Sequence, residues 1–201
     1  MAMTEDKGGE MLAVHLTEWC SEGKVSETIQ FGKVPAPKAH KNQVVIDIKA
    51  SSITIDDVAL CQDSAGGGWF FHGKTPTTTK PFVGGMEYAG VISAVGPKCK
   101  SLKVGDRVCG LQDRMKNAGT WAEKCLAPAQ DVVKIPSDFE ITDIEAAAVC
   151  MGAFVSGDMF KRANISNSRP MASRPFQCLV IGASGGLGTI LMHLLKKHKD
   201  E

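Results

Sequence analysis

The sequence predicts a β-rich, barrel-like module followed by the opening of an α/β domain, of which only the first strand, a glycine turn and a helix are present. Three observations carry this. Between Met11 and Pro136, short apolar or alternating runs recur between spaced glycines and prolines, the pattern of a small barrel or sandwich. After Pro136 the spacing of apolar residues changes from strand-like to helical. From Phe176 an apolar run passes directly into a glycine-rich turn and then an amphipathic helix.

Taken along the chain, residues 11–16 read as a first strand. In residues 44–49, Ile46 and Ile48 alternate with Asp47 and Lys49, so one face is apolar and the other polar. Residues 90–95 form a third strand, closed by the turn pair Gly96-Pro97. The run Val104-Gly105-Asp106-Arg107-Val108 carries a Gly-Asp turn between valines, a hairpin signal. Residues 120–127 and 132–135 read as further strands, ended by Pro128 and Pro136. Residues 63–80, with three consecutive glycines and a threonine run, read as a long surface loop carrying Trp69-Phe70-Phe71. Those aromatics fit an acceptor pocket, a partner surface or a loop that folds them inward. Beyond Pro136, Thr142 with Glu145 three residues on forms a capping pattern ahead of the helix-favouring Ala146-Ala147-Ala148. A second helix is expected over residues 153–161. Residues 164–175 are a polar, proline-bounded connector.

Composition narrows the class. The 201-residue chain is 43% hydrophobic and 22% charged with a formal net charge of +1, which suits a soluble globular protein of one core or a domain and a half. Near-neutral charge gives no electrostatic reason for a nucleic-acid or membrane partner. Residues 1–10 are polar and acidic, unlike a secretory signal or a mitochondrial transit peptide. Seven scattered cysteines match neither a disulfide framework nor a cysteine-rich zinc knot and suit a reducing compartment, so a cytoplasmic location is expected. The five histidines show no metal-ligand spacing. Lys196, Lys197 and Lys199 read as a solvated helix end.

The segment richest in chemistry is Phe176-Gln177-Cys178-Leu179-Val180-Ile181 followed by Gly182-Ala183-Ser184-Gly185-Gly186-Leu187-Gly188. Leu187, Ile190, Leu191, Leu194 and Leu195 then recur at helical spacing. Strand, turn and helix stand in the order a dinucleotide site requires. Gly182 allows a tight exit from the strand, Gly185 lets backbone approach a pyrophosphate, and Gly188 lets the helix pack close. The N–H groups at the helix start, with the positive end of its dipole, would then hold the phosphate. A glycine-rich turn that binds nothing is the bland alternative.

Read together, these pieces resemble one family. Gly84-Gly85-Met86-Glu87-Tyr88-Ala89-Gly90-Val91-Ile92-Ser93-Ala94-Val95-Gly96, followed by Val104-Gly105-Asp106-Arg107-Val108, resembles the signature of the medium-chain dehydrogenases/reductases. Ala118-Gly119-Thr120-Trp121-Ala122-Glu123 resembles that family's strand start, and the glycine turn falls in the family's order. The resemblance implies a GroES-like β-barrel catalytic domain over residues 1–136, a helical connector and linker over 137–175, and the start of a Rossmann nucleotide-binding domain over 176–201.

Zinc alcohol dehydrogenases of this family hold a catalytic metal with cysteine and histidine. Here Met86 stands where the histidine would, Thr54 where the first cysteine would, and the second cysteine position falls near Gly152, two residues from Cys150. A thioether and a hydroxyl do not replace an imidazole and a thiolate as zinc ligands, so no zinc is expected. The form of the glycine turn resembles the zinc-free, quinone-oxidoreductase-like branch, which implies hydride transfer from NADPH to a quinone or an activated enone. That chemistry needs the nicotinamide positioned against the acceptor and water excluded. Family members carry a Val-Asn-Pro-x-x-Asp-like run under the nicotinamide. Here it reads Ile53-Thr54-Ile55-Asp56-Asp57, which makes Thr54 and Asp57 the candidate catalytic residues, with loop stabilisation as the other reading of Asp57. Glu87 matches a family position and reads as a loop anchor.

The cofactor expected at Gly182, Ala183, Ser184, Gly185, Gly186, Leu187 and Gly188 is NADP, with NAD left open, because the second strand that reads the ribose is absent. A doubly wound domain needs on the order of 130 residues, so the chain is expected to be a front portion with weak or no cofactor binding by itself. A homodimer through the nucleotide domain is possible in a full-length form. The alternative reading is a non-catalytic GroES-like binding or scaffold module that has lost its cofactor domain.

Overall fold

The computed structural model describes residues 9–21, 23–62, 76–112, 119–163, 165 and 177–200. Trp69-Phe70-Phe71 and most of the 164–175 connector lie outside them. The elements in chain order are β1 (Glu10–Leu16), α1 (Val25–Thr28), β2 (Gln30–Pro35), β3 (Gln43–Ser51), α2 (Ile55–Gln62), β4 (Phe82–Val83), β5 (Glu87–Val95), β6 (Arg107–Leu111), β7 (Lys124–Pro128), β8 (Val132–Lys134), α3 (Asp143–Arg162) and α4 (Gly186–Asp200). They fall into two compact units, Met1–Ala148 and Val149–Glu201.

The first unit is built on two antiparallel sheets, one ordered β2-β1-β4 and the other β7-β3-β5-β6-β8. Alternation in β3 turns Val44 and Ile46 fully inward, where they meet Tyr88, Ile92, Val108, Cys125, Ala127 and Ala129. Burying each large aliphatic contributes about 1.5–3 kcal/mol. The β3–β5 pairing shifts register at Val45/Ile46 and again at Ile48/Ala50, and such bulges sharpen local twist and curl the sheet. One short segment laces the two sheets together. The Val14 N–H donates to the Trp121 carbonyl at 2.7 Å, Leu12 and Glu123 exchange bonds, and the Ile48 N–H donates to the Glu123 carbonyl at 2.9 Å. The predicted barrel-like module is therefore this curled, laced pair of sheets.

The Gly-Asp turn is present but leads into β6 and does not close a two-residue hairpin. The Asp106 N–H donates to the Lys103 carbonyl at 3.1 Å, and Gly105 at φ +88° takes the left-handed position. The Asp106 carboxylate accepts from the Lys103 N–H at 3.0 Å and from Lys134 Nζ at 2.7 Å. Their hydrogen bonds, Lys134's first, hold its carboxyl below the ordinary carboxylate range.

Two expectations need correction. The helices predicted around Ala146 and over 153–161 are one 20-residue helix, α3, which runs through Gly152 and Gly157. Its start carries the predicted capping box: Glu145 Oε2 accepts from the Thr142 N–H at 2.9 Å and from Thr142 Oγ1 at 2.7 Å, and Thr142 Oγ1 accepts from the Glu145 N–H. The strand expected over residues 176–181 is not formed in its described part. Residues 177–180 carry no regular structure, and Leu179 and Ile181 are 87% and 90% exposed. A strand is defined by ladder bonds to neighbours, and no described strand pairs with this segment.

Candidate functional site

In the second unit the turn of Gly182, Ala183, Ser184 and Gly185 enters α4 at Gly186. Gly182 sits at φ +79°, a conformation that side chains disfavour. Its carbonyl accepts from the Gly185 N–H at 3.1 Å, and the Gly185 carbonyl accepts from the Thr189 N–H at 2.8 Å. Gly188 is buried because the first helical turn lies against the turn backbone: a Cβ there would stand 2.2 Å from the Gly182 carbonyl oxygen. Gly185 and Gly186 differ. A Cβ at Gly185 meets only the Gly182 oxygen at 3.4 Å, an ordinary contact, and one at Gly186 meets nothing within 4 Å. Neither has a positive φ, and both are exposed. The fold therefore demands glycine at 182 and 188, whereas a side chain at 185 or 186 would obstruct only what approaches from outside.

A helix start leaves its first N–H groups without intrahelical acceptors, here those of Gly186, Leu187 and Gly188. No acidic residue stands in the first turn of α4, so nothing there opposes the dipole's attraction for an anion. The helix is held from behind by α3, where Ser156 Oγ donates to the Leu187 carbonyl at 2.8 Å and Gly152 packs against Ile190.

In the first unit, Thr54 and Asp57 form a reciprocal cap on α2. Asp57 Oδ2 accepts from the Thr54 N–H at 2.7 Å and from Thr54 Oγ1 at 2.8 Å, while Thr54 Oγ1 accepts from the Asp57 N–H at 3.3 Å. Asp57 is 1% exposed. The two candidates are thus brought together, in the capping geometry that fixes the start of α2. Ile53 and Ile55, which flank Thr54, are 76% and 81% exposed.

Glu87 is buried at the start of β5 and accepts a hydrogen bond from Ser52 Oγ through its carboxylate. Its backbone carbonyl accepts from Ser51 Oγ at 2.9 Å and Thr120 Oγ1 at 3.0 Å, and the Trp121 indole N–H donates to the Ser52 carbonyl at 3.0 Å. This cluster joins the end of β3, the start of β5 and the segment before β7. In the sequence Thr120 and Trp121 are legible only as part of a strand start, and Ser51 and Ser52 have no assigned role, although two serines closing an apolar strand were a visible signal.

Thr54, Met86 and Gly152 stand at the positions where the family resemblance leads one to expect zinc ligands. Met86 is 2% exposed, and at Gly152 a Cβ would stand 2.4 Å from Ile190 Cδ1. Among the described residues no group of three histidine, cysteine or acidic side chains could hold a metal ion, and no helix is long and apolar enough to cross a membrane.

Comparison with known proteins adds three kinds of finding. Residues 40–137 match the alcohol dehydrogenase GroES-like domain. An alcohol dehydrogenase of Geobacillus stearothermophilus is 30% identical over 84% of this chain and 51% of its own length. A trans-enoyl reductase of a Pyrenochaetopsis species is 30% identical over 81% of this chain and 43% of its own, and the 2-methylene-furan-3-one reductase of Solanum lycopersicum is 29% identical over 88% and 45%. The chain thus spans about half the length of the curated relatives it matches. Among solved structures, the quinone oxidoreductase of Coxiella burnetii superposes with a TM-score of 0.72 at 17% identity, over 94% of this chain and 54% of that one. A mycobacterial protein solved in complex with NADPH superposes at 0.67 with 25% identity, over 92% and 49%.

Proposed function

The chain belongs to the medium-chain dehydrogenase/reductase superfamily, and on that premise we propose that it serves an NADPH-dependent reduction of an activated enone or a quinone, without zinc. The observation that carries the proposal is the contrast within the glycine turn: Gly185 and Gly186 are small where the protein has no internal need for it. A backbone bared to the outside at a helix start is suited to a pyrophosphate. The mycobacterial neighbour solved with NADPH supports the cofactor. The relatives named for enoyl and methylene-furanone reduction support an electron-poor carbon–carbon double bond as the acceptor.

The bound cofactor would supply the hydride. The chain's own residues bind and orient. The N–H groups of Gly186, Leu187 and Gly188 would hold the phosphates, and the α3 contacts at Gly152 and Ser156 keep that helix start in place. Thr54, whose hydroxyl proton goes to Asp57 Oδ2 while its oxygen accepts from the Asp57 N–H, presents on a fixed turn an oxygen with one accepting lone pair left. Zinc does not fit the donor set: Thr54 and Met86 offer a hydroxyl and a thioether, and Gly152 offers no donor and no room beside Ile190.

The test is NADPH consumption with a panel of enones and quinones, and NADP reduction with alcohols, each with and without a strong chelator. Turnover of enones or quinones that is insensitive to the chelator is expected. Alcohol oxidation abolished by the chelator would overturn the proposal. So would the absence of any turnover with any acceptor at NADPH concentrations that saturate the protein, which would favour the binding-module reading.

A further inference from the structure

We propose that Cys20 and Cys61 are a dithiol–disulfide couple that ties the exit of β1 to the end of α2. The inference is independent of the reductase reading. Both side chains are buried, at 2% and 0% exposure, and they pack with Leu16 in one small core apart from the main one. The backbone brings them together as well. The last carbonyls of a helix lack intrahelical partners, and the Cys20 N–H takes that of Cys61 at 3.0 Å, in the last turn of α2. Such a bond limits the two α-carbons to about 7 Å at most, close to the range of roughly 4.4–6.8 Å over which disulfides bridge. No other pair of cysteines in the described residues shares both a core cluster and a backbone bond.

The two thiols also sense one another. Burial pushes the Cys61 thiol up to about 12, with Cys20 the next contributor and Asp57 after it. Burial likewise raises that of Cys20, against a hydrogen bond from Thr28. Thiols held so far from ionisation are poor nucleophiles, so the pair is silent toward solvent reagents while α2 stays closed. Exchange begins when the end of α2 opens. The oxidant is a low-molecular-weight disulfide such as oxidised glutathione. One cysteine thiolate attacks it, forming a mixed disulfide and expelling one glutathione thiolate. The second cysteine thiolate then attacks the protein sulfur of that mixed disulfide, the Cys20–Cys61 bond forms, and the second glutathione leaves. The protein gives up two electrons and two protons, and one glutathione disulfide becomes two thiols. Because α2 starts at the Thr54–Asp57 cap, the bridge would stiffen the segment that carries both candidate residues.

The experiment incubates the native 201-residue chain with oxidised glutathione over hours, quenches by acid and alkylation, and maps the peptides by mass spectrometry. The expected result is a disulfide-linked peptide pair containing Cys20 and Cys61, released by dithiothreitol, with a melting temperature raised by roughly 5–10 °C. In either Cys20→Ala or Cys61→Ala the linked pair should vanish, so one folded variant suffices. Recovery of both residues as alkylated thiols while exposed Cys178 carries glutathione would overturn the proposal. A mixed disulfide stalled at either residue, or linkage formed only in urea, would do so equally.

Discussion

At the scale of single residues, the glycine turn separates two reasons for being small. Gly188 is small because the Gly182 carbonyl stands 2.2 Å from where its Cβ would be, and backbone cannot swing aside as a side chain end can. Gly188→Ala should therefore lower stability by about 1–3 kcal/mol, read by chemical denaturation. Gly185→Ala meets only an ordinary 3.4 Å contact and should stay within about 0.5 kcal/mol of the wild type while weakening NADPH binding roughly tenfold. Equal loss of stability in both variants would contradict this division. The structural need for glycine at 182 and 188 was legible in the sequence because an apolar run, a turn and a periodic helix frame them. Glu87 was legible as a loop anchor, but its partners Ser51, Ser52 and Thr120 were not, because they lie far from it in the chain and meet it only through the folding of β3 beside β5.

At the scale of elements, legibility followed burial. β3 and β5 were readable because their apolar residues enter one core, Val44 and Ile46 from β3 and Tyr88 and Ile92 from β5. β2 was missed because it is an edge strand with only Val34 buried, so its sequence has no alternation to display. α2 was missed because Thr54 and Asp57 read in the sequence as catalytic candidates, or Asp57 as stabilising a loop, and not as the cap of an eight-residue helix. α3 was read as two helices because Gly152 looks like an interruption. Glycine within a helix costs about 1 kcal/mol relative to alanine, and here it is retained because Ile190 Cδ1 occupies the space of a side chain. This gives a double-mutant test. Gly152→Ala alone should lose stability or gain none, since the clash offsets the helix propensity. Combined with Ile190→Val, which deletes the clashing methyl, it should recover by about 1 kcal/mol more than the two single changes add to. Additive behaviour in denaturant titrations would show that the two side chains do not meet.

At the scale of the whole molecule, the first unit is the part whose identity stands on both pattern and match: its paired sheets cover the residues that match the GroES-like domain. The second unit, Val149–Glu201, supplies α4, most of α3 and the glycine turn, while the apolar run before the turn makes no ladder among the described residues. That run could be read as a strand from its composition alone, but strand structure is conferred by neighbours, and composition does not contain them. On the proposed function, this turn receives the phosphates of a nicotinamide cofactor. The most direct test of this claim is a thermal-shift titration of the chain with NADPH to millimolar concentration, beside a Gly185→Trp variant whose indole would cover the helix start. A weak but saturable rise in melting temperature, lost in the variant while its own unliganded melting is unchanged, is the predicted result. A cooperative melt that NADPH leaves unmoved at millimolar concentration, or a shift that survives the Gly185→Trp change, would contradict the claim.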